Sequence, residues 1–313
     1  MNSSEKKFVP VMITPFDHRN EVDEDCLASL IDFYLEAGVK GLFANCLSSE
    51  MFSLTCAERI RLTRQVVDHV KNRVTVVSSG SFGADIDEKS AFTKKIFETG
   101  ADAVIMITSH FAIESEGDDI LLQNFEKMFH LTGKIPLGLY ECPAPYKRVL
   151  PAPAFKDLLL SGRLMYYKDT SLAVDQMAKK IAVLEQLENK KLELYDAHSP
   201  HAIQSLNLGA AGLSSISGNF YPEIMVWLCD HVGDPKKKSD VDWIQSEISR
   251  ADPIIHSGYP LSAKYFLKKR GLPVHPISRI HVSNLTSEQK KALDALYIDF
   301  IGWCERLGIR PVR

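Results

Sequence analysis

The chain has 313 residues, 45% of them hydrophobic and 25% charged, with a formal charge of -3 at pH 7. This is the composition of a globular protein with a full core, and the slight acidity gives no basic field for nucleic acid; the short polybasic run DPKKKSD (234–240) reads as a solvated loop. No stretch approaches the roughly 18–20 uninterrupted apolar residues of a membrane span, and the start MNSSEKKFVP lacks a signal-peptide core. Six scattered cysteines (Cys26, Cys46, Cys56, Cys142, Cys229, Cys304) read as reduced thiols packed as small hydrophobes. The expectation is a cytoplasmic protein with no membrane or nucleic-acid partner.

Taken in order, short apolar runs alternate with helical spacing. VPVMIT from Val9 precedes DEDCLASLIDFYLEAG, where Leu27, Leu30, Ile31, Tyr34 and Leu35 form one apolar face behind acidic residues suited to a helix N-terminus. Then come GLFANC from Gly41, VTVVSSG from Val74, AVIMIT from Ala103, IPLGLYE from Ile135, MYYKD from Met165, LELYDA from Leu192 and AGLSSIS from Ala211. Between runs, EAGVKG, ETGADA, LTGKIP and LSGRLM each place a glycine where a helix would stop before the next strand.

Nearly continuous apolar strands imply burial on both faces, hence a parallel sheet, and eight such units in about 230 residues predict an α/β fold of the (β/α)8 TIM-barrel type. An open doubly wound sheet is the alternative, disfavoured because ITPFDHRNE after the first strand carries no Gly-rich dinucleotide fingerprint. Beyond residue 230 only helical patterns remain, around WIQSEIS, SAKYFLKKRG and SEQKKALDALYIDFIGWCERLG. The predicted organisation is therefore a catalytic barrel over 1–230 and a C-terminal helical appendage over 231–313.

Barrel active sites lie at the C-terminal strand ends. Those ends carry Thr14 and Pro15, Ser48 to Glu50, Ser79 and Ser81, Thr108 to Phe111, Tyr140 and Glu141, Lys168 and Asp169, Asp196 and His198, and Ser215 to Asn219. Lys168, at the end of the apolar run LMYYKD, is the informative one. A desolvated lysine has a lowered pKa, so part of it is neutral amine able to form a Schiff base with a carbonyl. Such an imine is itself the electron sink, so this chemistry calls for no cofactor and no metal. The bland alternative is an internal ion pair between Lys168 and Asp169 or Glu141.

In their order and spacing, VPVMITPF, LSSE, LYECP, YKDTS, LGAAGLSSISGN and PLSAKYFLKKRGLP resemble the dihydrodipicolinate synthase and N-acetylneuraminate lyase family of class I aldolases, over most of the chain. The resemblance implies a (β/α)8 barrel with a C-terminal helical domain, and a homo-oligomer, dimer or homotetramer. It further implies an imine between Lys168 and pyruvate or another 2-oxo acid, with an aldehyde as second substrate or product. Tyr140 is then the proton-shuttling phenol, and Ser48 and Ser49 hold the substrate carboxylate, their bland role being helix N-capping. Ser214 matches the position whose backbone meets the keto acid, Thr170 the threonine after the imine lysine, and Phe111 and Glu141 line the pocket.

Departures are as informative. The synthase relay has a threonine and a tyrosine where this chain has Leu47 and Phe111, and its substrate-gripping arginine falls on Pro145, with Lys147 and Arg148 nearby. The lyase's sugar-binding Gly-x-Asp-Glu is replaced by AHSP (197–200). The reading is a Schiff-base lyase or aldolase of the family whose second substrate is neither familiar one, with Glu141 and His110 pointing to a hydroxylated aldehyde. Rivals are the synthase proper, a metal-dependent aldolase using His198 and His201, and a non-catalytic 2-oxo-acid-binding barrel.

Overall fold

The computed structural model describes residues 5–188, 191–280 and 283–312, so the first four residues of the MNSSEKKFVP start lie outside it. In chain order the elements are β1 (Lys7–Phe8), α1 (Glu24–Glu36), β2 (Gly41–Phe43), α2 (Cys56–Val70), β3 (Thr75–Ser79), α3 (Ile86–Phe97), β4 (Ala103–Ile107), α4 (Asp118–Thr132), β5 (Leu137–Tyr140) and α5 (Ala152–Leu160). They continue with β6 (Leu164–Asp169), α6 (Val174–Gln186), β7 (Glu193–Asp196), α7 (Ala202–Leu208), β8 (Gly212–Leu213), α8 (Pro222–His231), α9 (Lys238–His256), α10 (Leu261–Lys269) and α11 (Ser287–Leu307). All eight strands pair in parallel in the order β1-β8-β7-β6-β5-β4-β3-β2, and a bridge between Val11 and Phe43 joins the two ends. The expected (β/α)8 barrel is formed.

Local chemistry explains the punctuation. Asp23 caps α1 by accepting from the Cys26 N–H, and Thr55 and Glu58 form a capping box on α2. The four glycines read as helix stops, Gly38, Gly100, Gly133 and Gly162, all have positive φ. Two strands are shorter than their apolar runs. VPVMIT contributes one bridge rather than a full strand because Pro10 and Pro15 lack the N–H a ladder needs. AGLSSIS turns into a 3-10 helix at Ile216–Asn219 after only two paired residues. Where β8 meets β1, a Cβ on Gly212 would sit 1.9 Å from the Lys7 carbonyl oxygen, so the close approach requires glycine.

Strand alternation sorts the residues that matter later. On β5 and β6, Tyr140 and Tyr166 point into the barrel with Phe43, Val77 and Ile105, whereas Leu139 and Tyr167 point out into the helix layer with Phe125 and Phe155. The appendage shares one continuous apolar cluster with the barrel, from Phe8 and Leu30 through Ile224 to Ile248, Phe266 and Phe300.

A buried charge pair fastens this appendage to the loop after β2. Lys264 of α10 lies 2.6 Å from Glu50, and the other carboxylate oxygen accepts from the Ser278 hydroxyl at 2.8 Å and the Arg279 N–H at 2.6 Å. Lys264 and Arg279 also lie over the Phe16 ring, each 4.5 Å from its centroid. Both ions are fully desolvated, so removing one partner leaves the other uncompensated. Lys264→Met is expected to lose about 3–5 kcal/mol of stability, with a substantial part recovered in Glu50→Gln/Lys264→Met. Urea unfolding followed by tryptophan fluorescence reads this, since Trp227, Trp243 and Trp303 lie on α8, α9 and α11. A single variant as stable as the parent, or a double variant no better than the single, would refute the clamp.

Candidate active site

Lys168 and Tyr140 are direct neighbours in the β5–β6 register, so both face the barrel interior. The Lys168 amine lies 4.7 Å from the centre of the Tyr140 ring and 5.8 Å from that of Phe43, and the residue is 4% exposed. Among the described residues it forms no ion pair. Its sequence neighbours Glu141 and Asp169 are one residue out of phase, so they face the helices instead. There each accepts from Lys180 of α6 at 2.6 Å. The internal pair proposed for Lys168 is therefore made by a different lysine.

Glu141 was expected to line the pocket, and its placement corrects that. Besides Lys180, its carboxylate accepts from the Leu150 N–H at 2.9 Å, the Thr170 N–H at 3.0 Å and the Tyr167 hydroxyl, all behind the barrel wall. Burial pushes this carboxyl up, against the pull of Lys180. Phe111 is likewise outside the lumen, stacked on Phe125 of α4 with ring centres 3.9 Å apart. Thr170 closes the end of β6 by donating its hydroxyl to the Glu141 carbonyl. His110 donates through Nδ1 to the Ser81 carbonyl at 2.6 Å and faces a separate groove of about 620 Å³ with Phe52 and Phe82. Burial holds that imidazole neutral, its pKa pushed down to about 4.

The two serines part company. Both sit in a one-turn 3-10 helix, Leu47–Ser49, and neither caps α2, a role taken by Thr55. The Ser49 hydroxyl is committed to its own loop, bonded to the carbonyls of Ala44 (2.7 Å) and Met12 (3.0 Å) and to the Cys46 N–H (2.9 Å). The amides of Leu47 and Ser48, first in their turn, have no intrahelical acceptor. Ser214, fully buried at the end of β8, accepts from the Tyr166 hydroxyl at 2.9 Å. Asn45 Oδ1 and Ser79 Oγ, buried in phase with Phe43 and Val77, have no partner among the described residues.

A thiol that the sequence reading gave only a packing role belongs here too. Cys142 is in phase with Tyr140 and buried in the same cluster beside it. Burial pushes the Tyr140 phenol far up and the Cys142 thiol to about 11, so both are protonated near neutrality. Arg148, considered as a substrate clamp, is already tied to Asp118 at 2.9 Å and to the Glu116 carbonyl at 3.0 Å. His198 and His201 pack ring to ring at 4.5 Å, and His201 lies 2.9 Å from Asp196 without hydrogen-bond alignment. Among the described residues no group of three or more His, Cys, Asp or Glu side chains is placed to hold a metal ion.

A parallel barrel with a desolvated amine beside a phenol at the C-terminal strand ends defines a lyase of the lysine Schiff-base class. The chain belongs to the dihydrodipicolinate synthetase family, whose sequence model matches residues 4–298. It is 24% identical to the 4-hydroxy-tetrahydrodipicolinate synthase of Oceanobacillus iheyensis, over 94% of this chain and 97% of that one. It is 29% identical to the putative 2-dehydro-3-deoxy-D-gluconate aldolase YagE of Escherichia coli, over 70% and 71% of the two chains. The fold superposes on the crystal structure of YagE in complex with pyruvate with a TM-score of 0.84 at 23% identity, covering 97% and 99%. For the dihydrodipicolinate synthase DapA-2 of Bacillus anthracis the TM-score is 0.83 at 21% identity, covering 94% and 98%.

Burial lowers the Lys168 pKa from 10.5 to about 8. At 1.36 kcal/mol per pH unit the buried ammonium costs about 3 kcal/mol of stability at neutral pH. Below pH 8 folded and unfolded chains both hold the proton, and the full penalty applies. Between pH 8 and 10.5 the folded chain releases it first, so the penalty fades as pH rises. Lys168→Met is thus expected to be more stable than the parent by about 3 kcal/mol at pH 7, the gap closing toward pH 10.5. Denaturant titrations across that range check this, and a destabilised variant at pH 7 would mean that Lys168 has a counter-ion after all.

Proposed function

We propose that the chain is a class I lyase in which Lys168 forms a Schiff base with pyruvate or another 2-oxo acid. The imine then makes or breaks a carbon–carbon bond to an aldehyde, with or without a following dehydration. The observation that carries this reading is the isolation of Lys168: an amine buried against two aromatic rings, with the nearest carboxylates in sequence committed to Lys180. Residues 1–230 would be the catalytic barrel and 231–313 the helical appendage. Six free thiols support a reducing, cytoplasmic setting, and no helix among the described residues is long and apolar enough to cross a membrane. Exposed Phe52, Ile113 and Leu172 support self-association into a dimer or tetramer.

In this mechanism neutral Lys168 attacks C2 of the keto acid, forming the N–C bond as the carbonyl electron pair moves to oxygen. Tyr140 gives its proton to that oxygen, and the ammonium proton returns to the phenolate through Cys142. The hydroxyl then leaves as water with a second proton from Tyr140, and the iminium remains. The Tyr140 phenolate then takes the proton of the C4 hydroxyl while the C3–C4 bonding electrons move toward the positive nitrogen, so the aldehyde departs and an enamine remains. The reverse sequence joins the two. Ser48 and the free amides of Leu47 and Ser48 are assigned to the keto-acid carboxylate, with the Ser214 backbone beside it.

The hydroxyls of Ser199, Ser215 and Ser217, linked at 2.9 and 2.6 Å, together with His198 on the β7 loop, support a hydroxylated aldehyde as partner. That argument replaces the one from Glu141 and His110, which do not face the lumen. It also disfavours the synthase reading, whose second substrate carries its own carboxylate and needs a cationic clamp: Pro145 offers no charge and Arg148 is committed elsewhere.

Pyruvate with borohydride is expected to label Lys168 irreversibly, at a rate that rises with pH through about 8 as the amine becomes neutral. Peptide mass spectrometry decides, and an unmodified Lys168 in folded protein at saturating pyruvate would sink the Schiff-base reading. A coupled assay with aspartate semialdehyde separates the synthase from the aldolase. The expected catalytic efficiency is below about 10⁴ M⁻¹s⁻¹, the lower end for working enzymes, and a higher value would restore the synthase.

A further inference from the structure

Two polar side chains inside the barrel have no part in the chemistry above. Asn45, just past β2, and Ser79, at the end of β3, are in phase with the lumen residues Phe43 and Val77, and both are fully buried. They hold each other in place: the Ser79 N–H donates to the Asn45 carbonyl at 2.9 Å, and Asn45 Nδ2 donates to the Ser79 carbonyl at 3.0 Å. A backbone carbonyl only accepts, so the second bond fixes which end of the amide is nitrogen. Asn45 Oδ1 is then an open acceptor and the Ser79 hydroxyl an open donor, neither with a partner among the described residues. The lumen side chains around them, Phe43, Val77, Ile105 and Ile107, are apolar and can offer none.

A buried polar group without a partner costs as much as a lost hydrogen bond, so two of them side by side mark a place that a ligand completes. One hydroxyl satisfies both, donating to Oδ1 while accepting from Ser79. We propose that Asn45 and Ser79 form a subsite for a hydroxyl on C3 of the keto acid, which makes the preferred substrate a 3-hydroxy-2-oxo acid rather than pyruvate. This rests on the reading that Lys168 forms the imine and the Leu47–Ser48 turn holds the carboxylate, and it adds which 2-oxo acid is bound. Asn45 lies two positions before that turn, roughly 6–7 Å down the barrel wall, and Phe43, two positions further down, has its ring 5.8 Å from the Lys168 amine. A keto acid stretched from the turn to that amine carries C3 past the pair. Pyruvate has only hydrogens on C3 and leaves both groups unmet.

The test is reductive trapping at Lys168 with cyanoborohydride, comparing pyruvate with 3-hydroxypyruvate. Hydroxypyruvate should half-saturate at a concentration roughly tenfold lower, the scale of a buried group regaining its partner. Ser79→Ala should shrink that advantage, and Asn45→Leu should reverse it, since the wall then meets a methyl better than a hydroxyl. The Ser79 hydroxyl makes no bond among the described residues, so its loss is expected to leave the melting temperature unchanged or higher, and Ser79→Ala keeps the test alive if Asn45→Leu does not fold. Equal half-saturation by the two keto acids, tighter binding of pyruvate by the parent, or an advantage that survives Ser79→Ala intact would overturn the proposal. A parent protein that traps neither keto acid would overturn the Schiff-base function itself, and this subsite with it.

Discussion

Desolvation of one amine without a counter-ion is the constraint around which the rest is arranged. A lysine buried beside carboxylates would pair with them and stay charged. This barrel holds two carboxylates next in sequence to its key residues, Glu141 after Tyr140 and Asp169 after Lys168, yet strand alternation turns both away from the lumen. Lys180 of α6 lies 2.6 Å from each, Tyr167 and the Leu150 and Thr170 amides complete the hydrogen bonds of Glu141, and Ser171 those of Asp169. Behind the wall Lys180 lies between the carboxylates; in front of it the amine lies against rings and thiols, with the Asp196 carboxylate acting on it from beyond ion-pair distance.

The same alternation explains what was legible in the sequence. Eight apolar runs separated by glycine-terminated helices reveal the barrel, and the order of LYECP and YKDTS brings Tyr140 and Lys168 to adjacent strand ends. Glu141 follows Tyr140 directly, and strand parity turns it outward, away from the pocket it was expected to line. Phe111 failed differently. It stacks against α4, and no short-range pattern marks which aromatic after a strand turns back onto a helix. Lys180 carried a usable signal, since its spacing from Met177 and Ile181 puts it on the buried face of α6. The contacts of Glu50 with Lys264 and Ser278 join segments more than two hundred residues apart, and nothing local foretells them.

Those long-range contacts give the appendage a part in the site. Glu50 has a left-handed backbone, φ 58°, which a residue with a side chain adopts at some energetic cost. It directly follows Leu47–Ser49, the turn proposed to hold the keto-acid carboxylate. Holding Glu50 with Lys264, Ser278 and Arg279 keeps that turn in one conformation. A division of the chain near residue 230 therefore separates the secondary-structure patterns without separating the chemistry.

Proton traffic at Tyr140 follows from the same packing. Leu47 and Phe111 offer no hydroxyl for a proton relay, and the acid buried beside the phenol is the Cys142 thiol. Burial raises both acids, so each is a neutral donor at pH 7 and the proton passes between groups that seldom hold charge. Such a closed pair suits iminium formation as proposed, in which nitrogen gives up one proton, oxygen takes two to leave as water, and the phenol covers the difference. It is poorly suited to a step that must draw protons from solvent. An aldehyde partner bearing hydroxyls would carry its own exchangeable protons into the mouth, where Ser199, Ser215 and Ser217 already form a hydrogen-bonded row. The loss of the relay side chains and the hydroxyl-rich rim then follow from a single choice of substrate.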